Sequence, residues 1–419
     1  MKGTVNLILA DGYTLTAVKG GISVTEGQTL NIYGQSEGTG KVDADGKYSE
    51  GAGIGSGTKE TYGTITINGG TVNATGGRNG AAGIGGGFEG GDGTVIINGG
   101  TVTATGNGQS TNYAIGVGGA GIGGGNKKDS ANSIIHICTQ TAKGGDGKWS
   151  KNGYYYGGVG IGGGRHKDYD VTITGGTVTA TGGGISGYPY GGVGIGGHNG
   201  SILISGGTVT ATGAGLGAGI GSDEDGSGTI TIQGGTVTAN GGVTGIGGGT
   251  SATINISGGY VLASGSSREF GLVNNNPADI TITGGYFGSG TAGKSGTGQV
   301  YSHDVASGYT VYDNTDEKTG SIYPVYVAKT KSAIGLSTTA GTLNEAETTT
   351  EQASETVDEE VTASASAEDT SAGTIKSSAA SNSSVVTGDN TSLWLWAALL
   401  AISGLGISGA TVYRRKKHR

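Results

Sequence analysis

Residues 64–76 read TITINGGTVNATG, and residues 82–87 read AGIGGG. In these segments apolar residues alternate with polar or small ones, which is the pattern of a β-strand with one buried face. The two isoleucines of TITI fall on one side of a first strand, and the Val and Ala of TVNA on one side of a second. The isoleucine of AGIGGG belongs to a third. The stretch therefore predicts three short strands joined by glycine-containing turns.

The same unit recurs along the chain. Copies lie at residues 94–106, 171–182, 201–213, 229–240, 253–264 and 279–288, with an eroded copy at 134–144 and an early one that begins at residue 30. One unit cannot bury its apolar side alone, but stacked neighbours cover one another. We therefore predict an all-β fold, a right-handed parallel β-helix of about nine coils with three short strands per coil. The glycines are expected at corners that require a positive φ.

Composition divides the chain into four segments. Residues 1–290 carry the Gly-rich repeats, and residues 291–327 carry β-rich alternation without the repeat, predicted to cap the open edge of the last coil. Residues 328–390 are rich in Ser, Thr, Ala and Glu and almost free of aromatic residues, which predicts a disordered stalk. Residues 391–419 are predicted to form a transmembrane helix with a basic cytoplasmic tail.

The predicted membrane segment has three parts. Residues 393–412 carry no charge, and as a helix they extend over roughly 30 Å, the thickness of a bilayer's hydrocarbon core. Trp394 and Trp396 lie at its outer end, where indole rings favour the interface. The basic residues Arg414, Arg415, Lys416, Lys417 and Arg419 follow at the other end and favour the cytoplasm. The repeat region is therefore predicted to be extracellular and tethered to the cell surface.

This layout resembles the cell-wall sorting signal of Gram-positive surface proteins, in which L-P-x-T-G precedes an apolar helix and a basic tail. Here the motif is the degenerate S-V-V-T-G of residues 384–388, with Ser384 and Val385 where the family has Leu and Pro. The resemblance implies that a sortase cleaves between Thr387 and Gly388 and joins the Thr387 carbonyl to peptidoglycan. A plain membrane anchor is the alternative. The repeats likewise resemble Gly-rich β-helix repeats of surface proteins in Gram-positive anaerobes.

The opening residues do not read as a secretory signal, because Met1-Lys2-Gly3 leads directly into a predicted strand. Since an extracellular protein must be exported, we expect the natural start, with or without further domains, to lie upstream of Met1 or to be misassigned. Cys138 is the single cysteine, so no intramolecular disulfide is predicted, and a small buried side chain is expected there.

Charge argues against a nucleic-acid partner. The formal net charge is -8, and nine acids with no Lys or Arg lie between residues 333 and 374. A nucleic-acid-binding protein instead carries a basic patch.

Parallel β-helices include polysaccharide lyases and hydrolases, and hydrolysis of a glycosidic bond needs two facing carboxylates. The repeat-region acids are expected at solvated corners of different coils; they are Asp92, Asp146, Asp168, Asp170, Asp223, Glu224 and Asp225. The GHNG of residues 197–200 resembles the G-H-G of glycosidase-type β-helices but is expected to lack partners. We therefore predict no catalytic residue and no enzyme.

No cofactor is predicted apart from a Ca²⁺ ion, for which Asp223 and Asp225 are the candidates, since hard cations need several oxygen ligands at once. The histidines His136, His166, His198 and His303 fall on different coils without the spacing of zinc ligands.

Aromatic residues give the best candidate for a ligand site. Long insertions of three successive coils carry Tyr113, Trp149, Tyr154, Tyr155, Tyr156, Tyr188 and Tyr190. Tyr156 and Tyr190 each precede the same GGVGI, so their rings are expected on one edge in adjacent coils. Ring faces fit the apolar faces of sugars. We therefore predict a non-enzymatic adhesin or glycan-binding module whose partner is a host, plant or microbial polysaccharide.

Three alternatives stay open. The rings could serve only to stack on each other and pin long loops. The scaffold could carry a carbohydrate-active enzyme, or it could be a purely structural surface protein.

Overall fold

A computed structural model of the chain describes residues 2–108, 116–126, 131–135, 139–146, 155–164, 168–184, 190–249, 251–265, 272–273, 279–289, 305–314, 322–323 and 325–330. The chain divides into two units, Met1–Leu336 and Ser337–Arg419. The second unit lies outside the described residues, as do the predicted sorting motif and the predicted transmembrane helix. In the described part, no helix is long and apolar enough to cross a membrane.

Each repeat contributes one strand to a 12-stranded sheet, called sheet 2 below. In spatial order its strands are β2 (Thr14–Ala17), β5 (Lys41–Asp45), β8 (Thr71–Thr75), β11 (Thr101–Thr105), β15 (Thr139–Lys143), β19 (Thr177–Thr181), β21 (Thr208–Thr212), β23 (Thr236–Asn240), β26 (Tyr260–Ser264), β29 (Gly285–Ser289), β31 (Val325–Lys329) and β30 (Tyr309–Asp313). These are the TVTAT segments of the repeat, followed by two strands from the predicted cap.

The other strands of the repeats form a 17-stranded sheet, called sheet 1. The TITI-type strands are β1 (Thr4–Leu9), β4 (Thr29–Gly34), β7 (Thr64–Ile67), β10 (Gly93–Ile97), β14 (Ala131–Ile135), β18 (Tyr169–Ile173), β25 (Ser251–Ile256) and β28 (Ile280–Ile282). The short strands are β3 (Ile22–Ser23), β6 (Ile54–Gly55), β9 (Ile84–Gly85), β13 (Ile122–Gly123), β17 (Ile161–Gly162), β24 (Ile246–Gly247) and β27 (Leu272–Val273). The longer β20 (Ile195–Ile204) and β22 (Ile220–Ile232) run through both rows and join them.

Two of the expected strand breaks are therefore wrong. In β20 and β22 the AGIGGG-type and TITI-type segments form one continuous strand instead of two. The link in β20 consists of only Gly197, His198 and Asn199 before the next segment, and this short link stays extended instead of turning.

Neighbouring repeats pair in parallel and in register. Val72 of β8 lies opposite Val102 of β11, and Ile84 of β9 lies opposite Ile122 of β13. Parallel pairing of successive copies confirms the prediction of an all-β fold with stacked strands. The described residues contribute ten parallel strands to sheet 2, β2 through β29, so the expected count of about nine coils is not confirmed.

The core lies between the two sheets. Ile65, Ile67, Val72 and Ile84 are fully buried, and so are their counterparts in the neighbouring coils. A smaller second cluster, formed by Val159, Val193 and Ala218, lies beside the turns that precede the short strands. The inward residues of these described strands are thus covered by the equivalent residues of adjacent coils, as a solenoid requires.

The turn between TITI and TVTAT needs glycine. The second residue of the Gly-Gly pair has a φ of +81° at Gly70 and +87° at Gly235, a conformation that strains residues with a Cβ. At Gly70 an added Cβ would also lie 2.8 Å from Leu9 Cδ1. The expectation of positive φ at this corner is confirmed.

The last parallel strand is covered by an antiparallel pair. β31 pairs with β29 on one side and with β30 on the other, both antiparallel. The pair lies within the predicted cap of residues 291–327, except that β31 extends two residues beyond it to Lys329.

Candidate functional site

Tyr156 and Tyr190 lie together on adjacent coils. Their ring centroids are 5.0 Å apart, with 36° between the ring planes. Tyr156 ends β16 (Tyr155–Tyr156), which pairs in parallel with β12 (Gly116–Val117), and the Gly157 N–H donates to the Tyr190 carbonyl at 3.2 Å. Both rings are half-buried. The contact agrees with the expected common register, and the tilt leaves part of each ring open.

Glycines beside the tyrosines form a floor of bare backbone. A Cβ at Gly157 would lie 1.6 Å from the Gly183 carbonyl oxygen, and a Cβ at Gly191 would lie 1.9 Å from that of Ala214. Neither position has room for a side chain, because successive coils approach there backbone to backbone. The rings therefore border a recess that none of the described side chains fills.

This recess is a groove that crosses three coils. It is lined by Tyr156, Gly157, Val159, Tyr190, Gly191, Gly192, Val193, Leu216, Gly217 and Asp223. Its volume is about 40 Å³, room for roughly three water-sized groups. Leu216 is 44% exposed and continues the row of the two tyrosines. A ligand larger than a few atoms would therefore lie across the groove instead of entering it.

Asp223 is the carboxylate that lines the groove, and it is paired with His198. His198 Nδ1 lies 2.8 Å from Asp223 Oδ1, and each side chain is 22% exposed. The expectation that His198 lacks a partner and that Asp223 is an ordinary solvated corner is wrong. The two residues are 25 positions apart, and the stacking of β20 on β22 brings them together.

Further acids lie close to this pair. Tyr169 is buried, and its hydroxyl shares a 3.4 Å hydrogen bond with Ser222 Oγ. Burial raises the pKa of Tyr169 to about 12; the Ser222 hydrogen bond opposes this rise, and the nearby carboxylates of Asp223, Asp170 and Asp168 add to it. The three acids therefore act on one buried phenol, although the sequence placed them at separate corners.

Asp168 and Asp170 also have partners on the next coil. Asn199 Nδ2 donates to Asp168 Oδ1 at 3.3 Å, and Ser201 Oγ donates to Asp170 Oδ1 at 2.5 Å. Asn199 in turn accepts hydrogen bonds from Ser227. The polar side chains beside the groove thus form a network across three coils, from β18 through β20 to β22.

The calcium candidate has no support from a ligand cluster. Within the described ranges, no three His, Cys, Asp or Glu side chains are grouped as metal ligands would be. The side chain of Asp225 lies outside the described residues, as do His136, Cys138, His166 and His303.

Most of the predicted aromatic site also lies outside the described residues. This applies to Tyr113, Trp149, Tyr154 and Tyr188, and to the predicted sortase-processing residues Thr387 and Gly388. The backbone of Tyr155 is part of β16, but its side chain is not described. The groove therefore contains Tyr156 and Tyr190 from the predicted aromatic site together with Leu216 and Asp223, and His198 is the hydrogen-bond partner of Asp223.

Comparison with known families agrees with the strand topology. Residues 37–58, 65–88, 202–226 and 230–250 match the model of a family described as a β-helix repeat. The chain contains a parallel β-helix repeat. No curated protein and no solved structure matches the chain. The matched segment of residues 202–226 includes Leu216 and Asp223 of the groove, and the matched segment of residues 230–250 follows it in the chain.

Proposed function

We propose that the chain is a non-enzymatic glycan-binding module, an adhesin built on a right-handed β-helix and displayed on the surface of a Gram-positive bacterium. The observation that carries the proposal is the groove in which Tyr156, Tyr190 and Leu216 form an apolar row beside the carboxylate of Asp223. An apolar recess with one fixed polar group is typical of small-ligand sites.

Sugar chemistry fits this combination. One face of a pyranose ring is apolar and packs on aromatic rings, while its hydroxyls need hydrogen-bond acceptors at the edge. The row from Tyr156 to Leu216 covers two coil steps, roughly 10 Å at the spacing of stacked strands. An extended polysaccharide could follow this row over more than one sugar residue.

Surface display is supported by the C-terminal sequence. The S-V-V-T-G of residues 384–388, the uncharged run and the basic tail are the features that support sortase and peptidoglycan as partners. A membrane anchor through the same apolar run, with the basic tail in the cytoplasm, is the alternative mode of attachment.

A carbohydrate-active enzyme is the second candidate, and the His198–Asp223 pair is the observation that favours it. A hydrogen-bonded His and Asp beside a groove can move a proton, and further carboxylates lie near Tyr169. Hydrolysis requires two carboxylates that face each other across the substrate. Reducing-end release from any polysaccharide by the purified chain, with or without Ca²⁺, would establish the enzyme in place of the binding module.

The double variant Tyr156→Ala, Tyr190→Ala tests glycan binding. A buried aromatic ring contributes about 1.5–3 kcal/mol, so loss of two rings is expected to weaken retention on a bound polysaccharide at least about tenfold. The melting temperature should change little, because both rings are partly exposed and neither belongs to the apolar core between the sheets. Affinity electrophoresis of the full chain in detergent, with polysaccharides chosen from a glycan array, measures the effect.

Tyr13→Ala, Tyr48→Ala is the matched control, since these two tyrosines are 75% and 63% exposed and lie outside the groove. It should bind as the wild type does. Unchanged binding by the groove variant, together with a large drop in its melting temperature, would show that the rings only pin the loops.

A further inference from the structure

A β-bulge places Asp223 at the groove. Gly197 of β20 lies opposite Ser222 of β22, but Asn199 lies opposite Ser227, so residues 223–226 of β22 face the single residue His198. Bulges of this kind re-aim side chains and are common next to functional sites. The extra residues bring the Asp223 carboxylate to a groove that is otherwise lined by rings, aliphatic side chains and glycine backbone.

The bulge is tight, and the carboxylate is held within it. His198 Nδ1 lies 2.8 Å from Asp223 Oδ1. A Cβ at Gly226 would lie 2.0 Å from the His198 carbonyl oxygen and 2.8 Å from Asp223 Oδ1, so the strand closes directly behind the acid. With 22% of its side chain exposed, Asp223 still reaches solvent. A preorganised carboxylate of this kind loses little conformational freedom when a ligand binds.

The charge of this acid limits which sugars fit. An ionised carboxylate only accepts hydrogen bonds, and it has about four acceptor sites. It can therefore accept from neighbouring hydroxyls of a pyranose whose apolar face lies on the tyrosines. It repels a second carboxylate.

We propose that Asp223, positioned by His198, selects neutral sugars with adjacent hydroxyls at the tyrosine groove and rejects uronic acids. This inference rests on the proposed glycan-binding function and specifies the class of ligand that the proposed site binds. The expected occupant is a neutral polysaccharide segment that lies along Tyr156, Tyr190 and Leu216 with its hydroxyl edge toward Asp223.

Probe pairs that differ only in the acid test the proposal. One pair is a neutral glucan and the same glucan oxidised at C6 to its glucuronate form; the other is methyl-esterified polygalacturonan and its de-esterified form. The full chain in detergent is expected to bind the neutral member of at least one pair at least tenfold more tightly. Asp223→Asn, which removes the charge but keeps the shape, should weaken neutral binding severalfold and reduce the preference to below threefold.

Asp45→Asn is the matched control, because it removes the same charge on a coil distant from the groove. It should leave both affinities unchanged. His198→Ala removes the group that holds the carboxylate but not the charge, so it should weaken neutral binding while the preference over the acid form persists. Loss of that preference in His198→Ala would contradict a positioning role.

The outcomes separate this inference from the function on which it rests. If binding needs the two tyrosines but Asp223→Asn prefers the neutral probe over the acidic one as strongly as the wild type does, the inference alone is overturned. Equal binding of acid and neutral probes by the wild type also overturns it. No binding of any probe by the wild type overturns both, and circular dichroism melts of Asp223→Asn verify that the variant is folded.

Discussion

Gln140 occupies an inward position in the core of sheet 2. It lies opposite Val102 on one side and Val178 on the other, and its side chain is 1% exposed. Among the residues that the structure describes, neither its amide nitrogen nor its amide oxygen has a hydrogen-bond partner. A buried amide without partners loses its hydration and gains nothing in return. This coil, the eroded copy of the repeat, therefore has a local weak point.

Gln140→Val is expected to stabilise the protein by about 1–3 kcal/mol, because it removes the unpaired amide and restores the valine row. Denaturant unfolding followed by circular dichroism measures the change. Thr141→Val, one residue along and outward-facing, is the control and should have little effect. A loss of stability in Gln140→Val would mean that the amide has a structural role in this coil.

At the level of single residues, the sequence predicts which side chains are buried but not which of them meet. The burial of Ile65 and Ile67 follows from the two-residue period, because successive side chains of a strand point to opposite faces. The pairing of His198 with Asp223 depends instead on the stacking of two coils and on a bulge between them. The repeat predicts that the coils stack, but nothing in the sequence indicates the bulge or the side chains that it brings together.

Stacked tyrosines join the last coils to the antiparallel pair at the end of sheet 2. Tyr260, Tyr286, Tyr326 and Tyr312 lie opposite one another on β26, β29, β31 and β30. Successive ring centroids are 4.8, 5.5 and 5.3 Å apart, with planes within 29° of each other. The row continues the outward threonines of the earlier coils, since Tyr260 lies opposite Thr236. Ring stacking thus holds the pair against the last parallel strand.

Tyr326→Ala should loosen the terminal pair, because it removes two ring contacts that each contribute about 0.5–1.5 kcal/mol. Hydrogen exchange is expected to accelerate at the amides of β30 and β31 while the amides of β19 and β21 keep their protection. Tyr326→Phe keeps the ring and should exchange as the wild type does. Equal acceleration in the Phe variant would assign the effect to the hydroxyl instead of the stack.

At the level of elements, repeat strands are easier to predict than the strands that end them. The TVTAT copies can be recognised because they repeat, and each pairs with the equivalent strand of the next coil. The residues 301–327 show alternation, but alternation does not tell whether β31 pairs in parallel or antiparallel with β29. Likewise, nothing in the sequence of the short link in β20 predicts that the short strand and the TITI-type strand form one continuous strand there.

On the scale of the repeat region, stability comes from contacts between neighbouring coils. Such proteins behave nearly as a sum of repeat and interface terms, so one coil can acquire a long insertion or an extra residue without unfolding distant coils. The groove is an example of this tolerance of local changes, since the insertions before Tyr156 and Tyr190 and the bulge after Ser222 belong to successive coils. A binding site can therefore form along one edge while the apolar interior keeps its repeat.

Attachment of the chain to the cell is the remaining question at this scale, and it depends on residues 384–388. If a sortase recognises the degenerate motif, Thr387→Ala with Gly388→Ala removes the scissile pair and the acyl transfer cannot occur. The variant is then expected in the membrane fraction, whereas muramidase digestion should release the wild-type chain from the wall. Gly373→Ala with Thr374→Ala changes the same residue types upstream of the motif and should leave the distribution unchanged. If detergent extracts the wild-type protein and muramidase does not release it, the uncharged run of residues 393–412 is instead a membrane anchor. Detergent extracts a chain that is held only by apolar contacts with the membrane, whereas a chain joined to the wall is released only when the wall is cleaved.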